Sequence, residues 1–267
     1  MTGALLLAPG PYSYNSIVYD MSEQGFYSMI NCGYLGVYDG GPKIVAASGA
    51  ACNVERLMEA MAWCTRYGRS DERHTPAELT ANIIRLRTAA LRCEPTINWA
   101  LSICATLGVT ARKVRTLTAR PFNGVDDGHV ALEAKVHGAW KLFDVAGDVR
   151  FRDRVSNVLL SLDAVWSLGV TNVVTEQMAP TESAPMDWSN SDLQTEQFFN
   201  QVLRFGAAAW REDKYQCAGV DTIVSGQTQT WWKIPSNARP DLPASIEALS
   251  PTWKVKSPAE WNAAFYG

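Results

Sequence analysis

The chain has 267 residues, 47% of them hydrophobic and 19% charged, which suits a globular protein with a sizeable core and excludes a disordered one. A net charge of -3 leaves no basic footprint for nucleic acid or an acidic membrane surface. No run reaches the length needed to span a bilayer, and the ALLLA near the start lacks a basic flank, so no cleaved signal peptide is expected. Six cysteines without a CxxC pair, beside only three histidines, make a metal site unexpected and point to reduced thiols in a cytoplasmic setting.

Residues 1–50 alternate short apolar pieces with Gly, Pro, Asn and Ser and predict short strands and turns. From Asn53, Val54, Leu57, Met58, Met61 and Ala62 recur at helical spacing, with Gly68 as a stop. Thr75-Pro76-Ala77-Glu78 forms a capping box ahead of a second helix, with Leu79, Ile83, Ile84, Leu86 and Ala90 as its buried stripe. His74, just before that cap, reads as a solvated loop residue. A third helix opens near Cys93: Pro95 suits its first turn, Ile97, Ala100, Leu101, Cys104 and Leu107 supply an apolar face, and Gly108 ends it.

The period then changes to two. Val114, Leu117 and Ala119, then Val130 to Val136, then Trp140 to Val145, predict three antiparallel strands. Asn123-Gly124, Asp127-Gly128 and His137-Gly138 mark the turns. Beyond Asp148 the expectations are a helix over 157–168, a loop over 178–190 and a capped helix from Ser191 towards Trp210. The proline-rich KIPSNARPDLPASIEALSP is expected to run extended, and Ser257-Pro258-Ala259-Glu260 to cap a short helix ending at Phe265.

Cys93, His129 and Asp144 stand in the order needed by a nucleophile, its base and the base's orienter. A helix N-terminus favours the thiolate, the only competent form of the nucleophile. A histidine at a strand start can face a helix packed on that sheet, and an aspartate on the neighbouring strand can hold its tautomer. Taken singly, each has a plain structural reading: a buried small residue, a turn-closing polar group and a strand cap. Cys104 lies mid-helix among apolar neighbours and reads as core, and His137 belongs to a turn. Glu94 would oppose ionisation of the thiol if it lay close to the sulfur. The backbone N–H of Cys93 is a natural half of an oxyanion hole; Trp63, Tyr67 or an N-terminal residue are candidates for the other half.

The stretch resembles the transglutaminase-like superfamily. Gly108-Val109-Thr110-Ala111-Arg112, fifteen residues after Cys93, matches that family's GIPAR-like turn. His129 with Glu133, then Gly138, Trp140 and Asp144, match its histidine and Gly-x-Trp-x-x-x-Asp patterns. Leu91 stands where the family often has glycine, and Ala131 where it often has tryptophan. The resemblance covers about residues 50–150. It implies Cys93 as nucleophile, His129 as general base, Asp144 as orienter, and an α+β fold with a Cys-bearing helix packed on an antiparallel sheet, as in papain-like enzymes. Arg112 is expected to anchor a carboxylate at its turn.

The expected organisation is a catalytic core with N-terminal strands over 1–150, and a Trp-rich C-terminal extension over 151–267 that packs on it. Seven of the ten tryptophans lie in that extension and are expected to pack rather than to bind, one of Trp231 and Trp232 excepted. The expected function is cysteine-dependent acyl transfer on a peptide or carboxamide bond through a thioester, with a protein or peptide substrate and no metal or organic cofactor. Water as acceptor would make a protease or amidase, an amine a transglutaminase. The alternative is a non-catalytic binding or structural protein on the same scaffold.

Overall fold

The structure is a computed structural model that describes residues 11–14, 17–20, 36–38, 41–43, 53–63, 65–67, 71–80, 89–122, 127–178 and 216–267. Its first elements are two short antiparallel pairs, β1 (Pro11–Tyr14) with β2 (Ile17–Asp20) and β3 (Gly36–Tyr38) with β4 (Gly41–Lys43). Helix α1 (Val54–Trp63) buries Leu57, Met58, Met61 and Ala62 as its spacing predicts, but it stops short of Gly68. Buried Thr65 returns its hydroxyl to Met61 O at 3.1 Å. Thr65–Tyr67 becomes strand β5, paired in parallel with β6 (Ala89–Leu91). Ala90, expected on a helical stripe, therefore lies in a strand. Between them the Thr75 capping box forms as expected, with Thr75 N–H on Glu78 Oε2 at 2.7 Å and Glu78 N–H on Thr75 Oγ1 at 3.3 Å. Residues 76–80 are helical, and the rest of that expected helix up to residue 88 lies outside the described residues.

Helix α2 (Cys93–Thr106) matches its expected limits. Gly108, at φ 69°, donates to Ala105 O, while Val109 N–H reaches Cys104 O at 2.8 Å. That pair of bonds is the Schellman closure a left-handed glycine permits. The chain turns from there into β7 (Ala111–Leu117), β8 (Gly128–Val136) and β9 (Ala139–Asp144), an antiparallel meander where the period-two pattern predicts one. His137 (φ 50°) and Gly138 (φ 84°) close the second connection as a two-residue hairpin with both φ positive. Asn123-Gly124 lies outside the described residues.

Strand β10 (Val149–Asp153) follows, then α3 (Leu162–Leu168), β11 (Val173–Gln177), β12 (Cys217–Val224), β13 (Gln227–Lys233), α4 (Leu242–Leu249), β14 (Trp253–Lys256) and α5 (Pro258–Phe265). Helix α3 starts later than residue 157, because Leu160 first bonds the backbones of Leu142 and Phe151; Ser161 then caps it through Ala164 N–H. Helix α4 corrects the expectation of an extended run: Pro243 falls in the first turn, where its missing N–H costs nothing. The capping box at Ser257 and the end at Phe265 are as expected. The loop from residue 179 and the helix expected from Ser191 lie outside the described residues.

Eight strands form one sheet in the order β11-β10-β9-β8-β7-β12-β13-β14, antiparallel except for the last pair. Strands from residues 217–256 thus continue the sheet outward from β7, and the position expected for a domain boundary, between 150 and 151, falls inside β10. Helices α1 and α2 cover one face over Val130, Leu132, Ala134 and Phe143. On the other, Ala131, Leu142, Val149 and Phe151 pack with Leu162 and Val165 of α3 and Trp261 of α5. Strand β8 is buried on both sides, which accounts for its nearly unbroken run of buried residues. The class is α+β with a Cys-bearing helix on an antiparallel sheet. Trp232 and Trp261 are fully buried, and partly buried Trp231 lies under Lys256 Nζ at 4.1 Å. Trp188 and Trp210 lie outside the described residues. No helix among the described residues is long and apolar enough to cross a membrane.

Candidate active site

Cys93 is the first residue of α2, with extended Arg92 as its N-cap. Its sulfur is therefore set at the positive end of the helix dipole. His129 is the second residue of β8 and Asp144 the last of β9, and the β8–β9 hairpin returns one to the other. His129 Nε2 meets Asp144 Oδ2 at 2.7 Å, which leaves Nδ1 for the sulfur of Cys93, to which the His129 side chain is also hydrogen-bonded. The three residues singled out in the sequence come together in one chain of hydrogen bonds.

Burial opposes charge on both members of the sulfur–imidazole pair, and their partners overcome it. Burial raises the Cys93 thiol, but the His129 side chain, its charge and the Val130 N–H on the sulfur bring it below its ordinary value. Burial likewise lowers His129, but the Asp144 carboxylate and then the Cys93 sulfur raise it to about 10. The arrangement shifts the pair towards thiolate and imidazolium from the ordinary balance of the two groups. Asp144 is fully buried, and its second oxygen, Oδ1, accepts the Gly147 N–H at 2.7 Å. An added Cβ at Gly147 would fall on that carboxyl group.

Glu94 is taken up by cations of β7. Its carboxylate meets Arg115 Nη2 at 2.7 Å and Lys113 Nζ at 3.1 Å on β7, so two cations offset its charge. Arg115 also binds Asp221 of β12 at 3.0 Å, tying α2 to the C-terminal strands. Arg112 anchors a carboxylate, as expected: Glu133 Oε2 accepts from its Nε and Nη2 at 2.8 and 2.7 Å. Glu133 Oε1 accepts the Leu162 N–H and the Tyr266 hydroxyl, both at 2.7 Å, and Trp140 stacks 4.1 Å from the guanidinium. These signature residues form a brace between the sheet and the last turns of the chain, not part of the reacting group. Cys104 is buried in the core, His137 is exposed in its turn, and His74 is an exposed loop residue whose Nδ1 lies 3.2 Å from Asp71 O. The side chains of Trp63 and Tyr67 lie outside the described residues.

The sequence reading missed the donors from Val130 and Gly147. The first is a main-chain group with no sequence signature. The second had one: an aspartate with glycine three residues on is the pattern of a turn closed by its own carboxylate.

No family model matches the chain. No curated protein matches it. Among solved structures it is similar to arylamine N-acetyltransferase C from Bacillus anthracis, at 9% identity and a TM-score of 0.29 over 67% of this chain and 77% of that one. It is also similar to arylamine N-acetyltransferase from M. tuberculosis, at 11% identity and a TM-score of 0.30 over 66% and 79% of the two chains. A third is an arylamine N-acetyltransferase from Bacillus cereus described as having a unique Cys-His-Glu catalytic triad, at 10% identity and a TM-score of 0.27 over 74% and 89%. The overlap is weak in all three.

Proposed function

We propose that the protein is a cysteine-dependent acyl-transfer enzyme acting on a peptide or carboxamide carbonyl. The observation that carries this is the hydrogen-bonded series Cys93–His129–Asp144, with the sulfur at the first residue of a helix. The Cys93 thiolate attacks the carbonyl carbon and forms a C–S bond, and the carbonyl oxygen takes the negative charge. As the C–N bond breaks, the His129 imidazolium gives its proton to the departing amine, leaving a thioester on Cys93. Neutral His129 then takes a proton from water or an acceptor amine, which attacks the thioester and releases the thiolate. Asp144 keeps the imidazole tautomer and orientation through both halves and stabilises its charged form. The resemblance to the transglutaminase-like superfamily supports the same roles for the same residues, with a protein or peptide as substrate.

Incubation with p-nitrophenyl acetate, followed by mass mapping of acylated peptides, tests the reading. It predicts a burst of p-nitrophenol with the acyl group on the Cys93 peptide, absent from Cys93→Ser and strongly reduced in His129→Ala. Acylation scattered over lysines, with the same phenol release from Cys93→Ser, would sink it and leave the scaffold as a binding protein.

A further inference from the structure

The Asp144 carboxylate is held by the turn that follows it. Its Oδ1 accepts the Gly147 N–H at 2.7 Å, across a turn in which position 147 has no room for a Cβ. The next residue, Asp148, is buried at 1% exposure and has a φ of 59°, a left-handed conformation that aspartate adopts more readily than most residues but not without cost. Two neighbours grip Asp148 from the end of β11. Gln177 Nε2 donates to its carboxylate at 3.1 Å, and the Met178 N–H donates to its carbonyl at 3.1 Å. Met178 is itself buried in the core beneath α1 and α2, so the grip is fixed to the interior rather than to a loose end. The Gly147 N–H lies one peptide upstream of Asp148, so release of Asp148 towards an ordinary negative φ would shift the Gly147 backbone and, through it, re-aim the N–H that reaches Asp144.

We propose that Gln177 and Met178 clamp the 145–148 turn and so act, through Gly147, as positioning residues for the Asp144 carboxylate. Its bearing on catalysis rests on the acyl-transfer reading; the clamp itself concerns only how Asp144 meets His129. Cys93 faces His129 from α2, Glu94 on the same helix is taken up by Lys113 and Arg115 of β7, and Asp148 is held by Gln177.

The test is an NMR titration of the imidazole resonances in the intact chain, comparing wild type with Gln177→Leu, Gly147→Ala and Asp148→Asn. There are only three histidines, and exposed His74 and His137 serve as internal references. The clamp predicts a His129 midpoint far above the ordinary value in wild type. It predicts a fall of about one pH unit or more in Gln177→Leu and Gly147→Ala, with the other two histidines unmoved. Asp148→Asn keeps an acceptor for Gln177 and tolerates a positive φ, so its His129 should titrate as in wild type. A Gln177→Leu protein that is folded by circular dichroism yet titrates like wild type overturns the clamp, as does a wild-type His129 at its ordinary value. If His129 falls in Gln177→Leu while wild-type Cys93 alkylates like an ordinary thiol, the clamp stands and the acyl-transfer reading fails.

Discussion

Burial alone would drive both the Cys93 thiol and the His129 imidazole towards their neutral forms. For His129 a fully buried carboxylate 2.7 Å from the ring reverses this; for Cys93 the His129 side chain and a backbone N–H do so, against the direct opposing charge of Asp144. Asp144 thus sets the charge state of His129 and favours the Cys93 thiolate only through that ring. Asp144→Asn should lower acyl-transfer kcat/KM by about 10²–10⁴-fold, the range of a mispositioned or mistautomerised base. The linkage has a definite sign. His129 is raised from 6.5 to about 10, so its contribution to stability is fully present below pH 6.5 and is lost as the pH rises through about 10. Urea unfolding should therefore show Asp144→Asn destabilised against wild type most at mildly acidic pH, with the gap closing as the pH passes about 10. A gap of constant size across that range would mean that the pair is not charged in the folded protein. These residue types and their order were legible in the sequence because each carries side-chain chemistry. The Val130 and Gly147 donors are main-chain groups that take their places only once β8 and the 145–148 turn have formed.

The helices and strands divide into those with local signals and those without. Helix α2 could be bounded from Pro95 and Gly108 because both act through their own backbone. Strands β5 and β6 could not, since Thr65–Tyr67 acquires its extended form only by pairing with Ala89–Leu91, more than twenty residues away. Helix α4 was hidden by the prolines around it, of which Pro243 is compatible with a first turn. The brace formed by Arg112, Glu133, Trp140 and Tyr266 gives a prediction at this scale. Glu133 is fully buried and bound by Arg112, so Arg112→Ala strands a buried charge and should cost about 3–5 kcal/mol. Adding Glu133→Gln removes that charge while keeping an acceptor for Leu162 and Tyr266, and should recover much of the loss. Denaturant midpoints of the single and double variants would decide it; a double variant no better than Arg112→Ala would show that the guanidinium contributes by stacking on Trp140 instead.

At the scale of the whole molecule, one sheet runs from β11 to β14 and carries β8 and β9, with His129 and Asp144, near its middle. Its inner half follows from the period-two pattern of residues 111–145. Its outer half does not, because β12 pairs with β7 across about a hundred residues and nothing local announces that register. The long-range ties are electrostatic as well as backbone. Asp221 of β12 holds Arg115, which holds Glu94, so the later strands are linked to the first turn of α2 beside Cys93. The central claim, that this scaffold presents an ion-paired nucleophile, is tested most directly by the rate of iodoacetamide alkylation at each cysteine from about pH 5 to pH 9, in wild type and His129→Ala. Buried Cys104, and Cys217, whose thiol burial pushes up to about 12, should stay slow throughout. Cys93 should alkylate rapidly below neutral pH and lose that limb in His129→Ala. A Cys93 rate that rises only near the pH of a free thiol, or that is unchanged by His129→Ala, would contradict the claim.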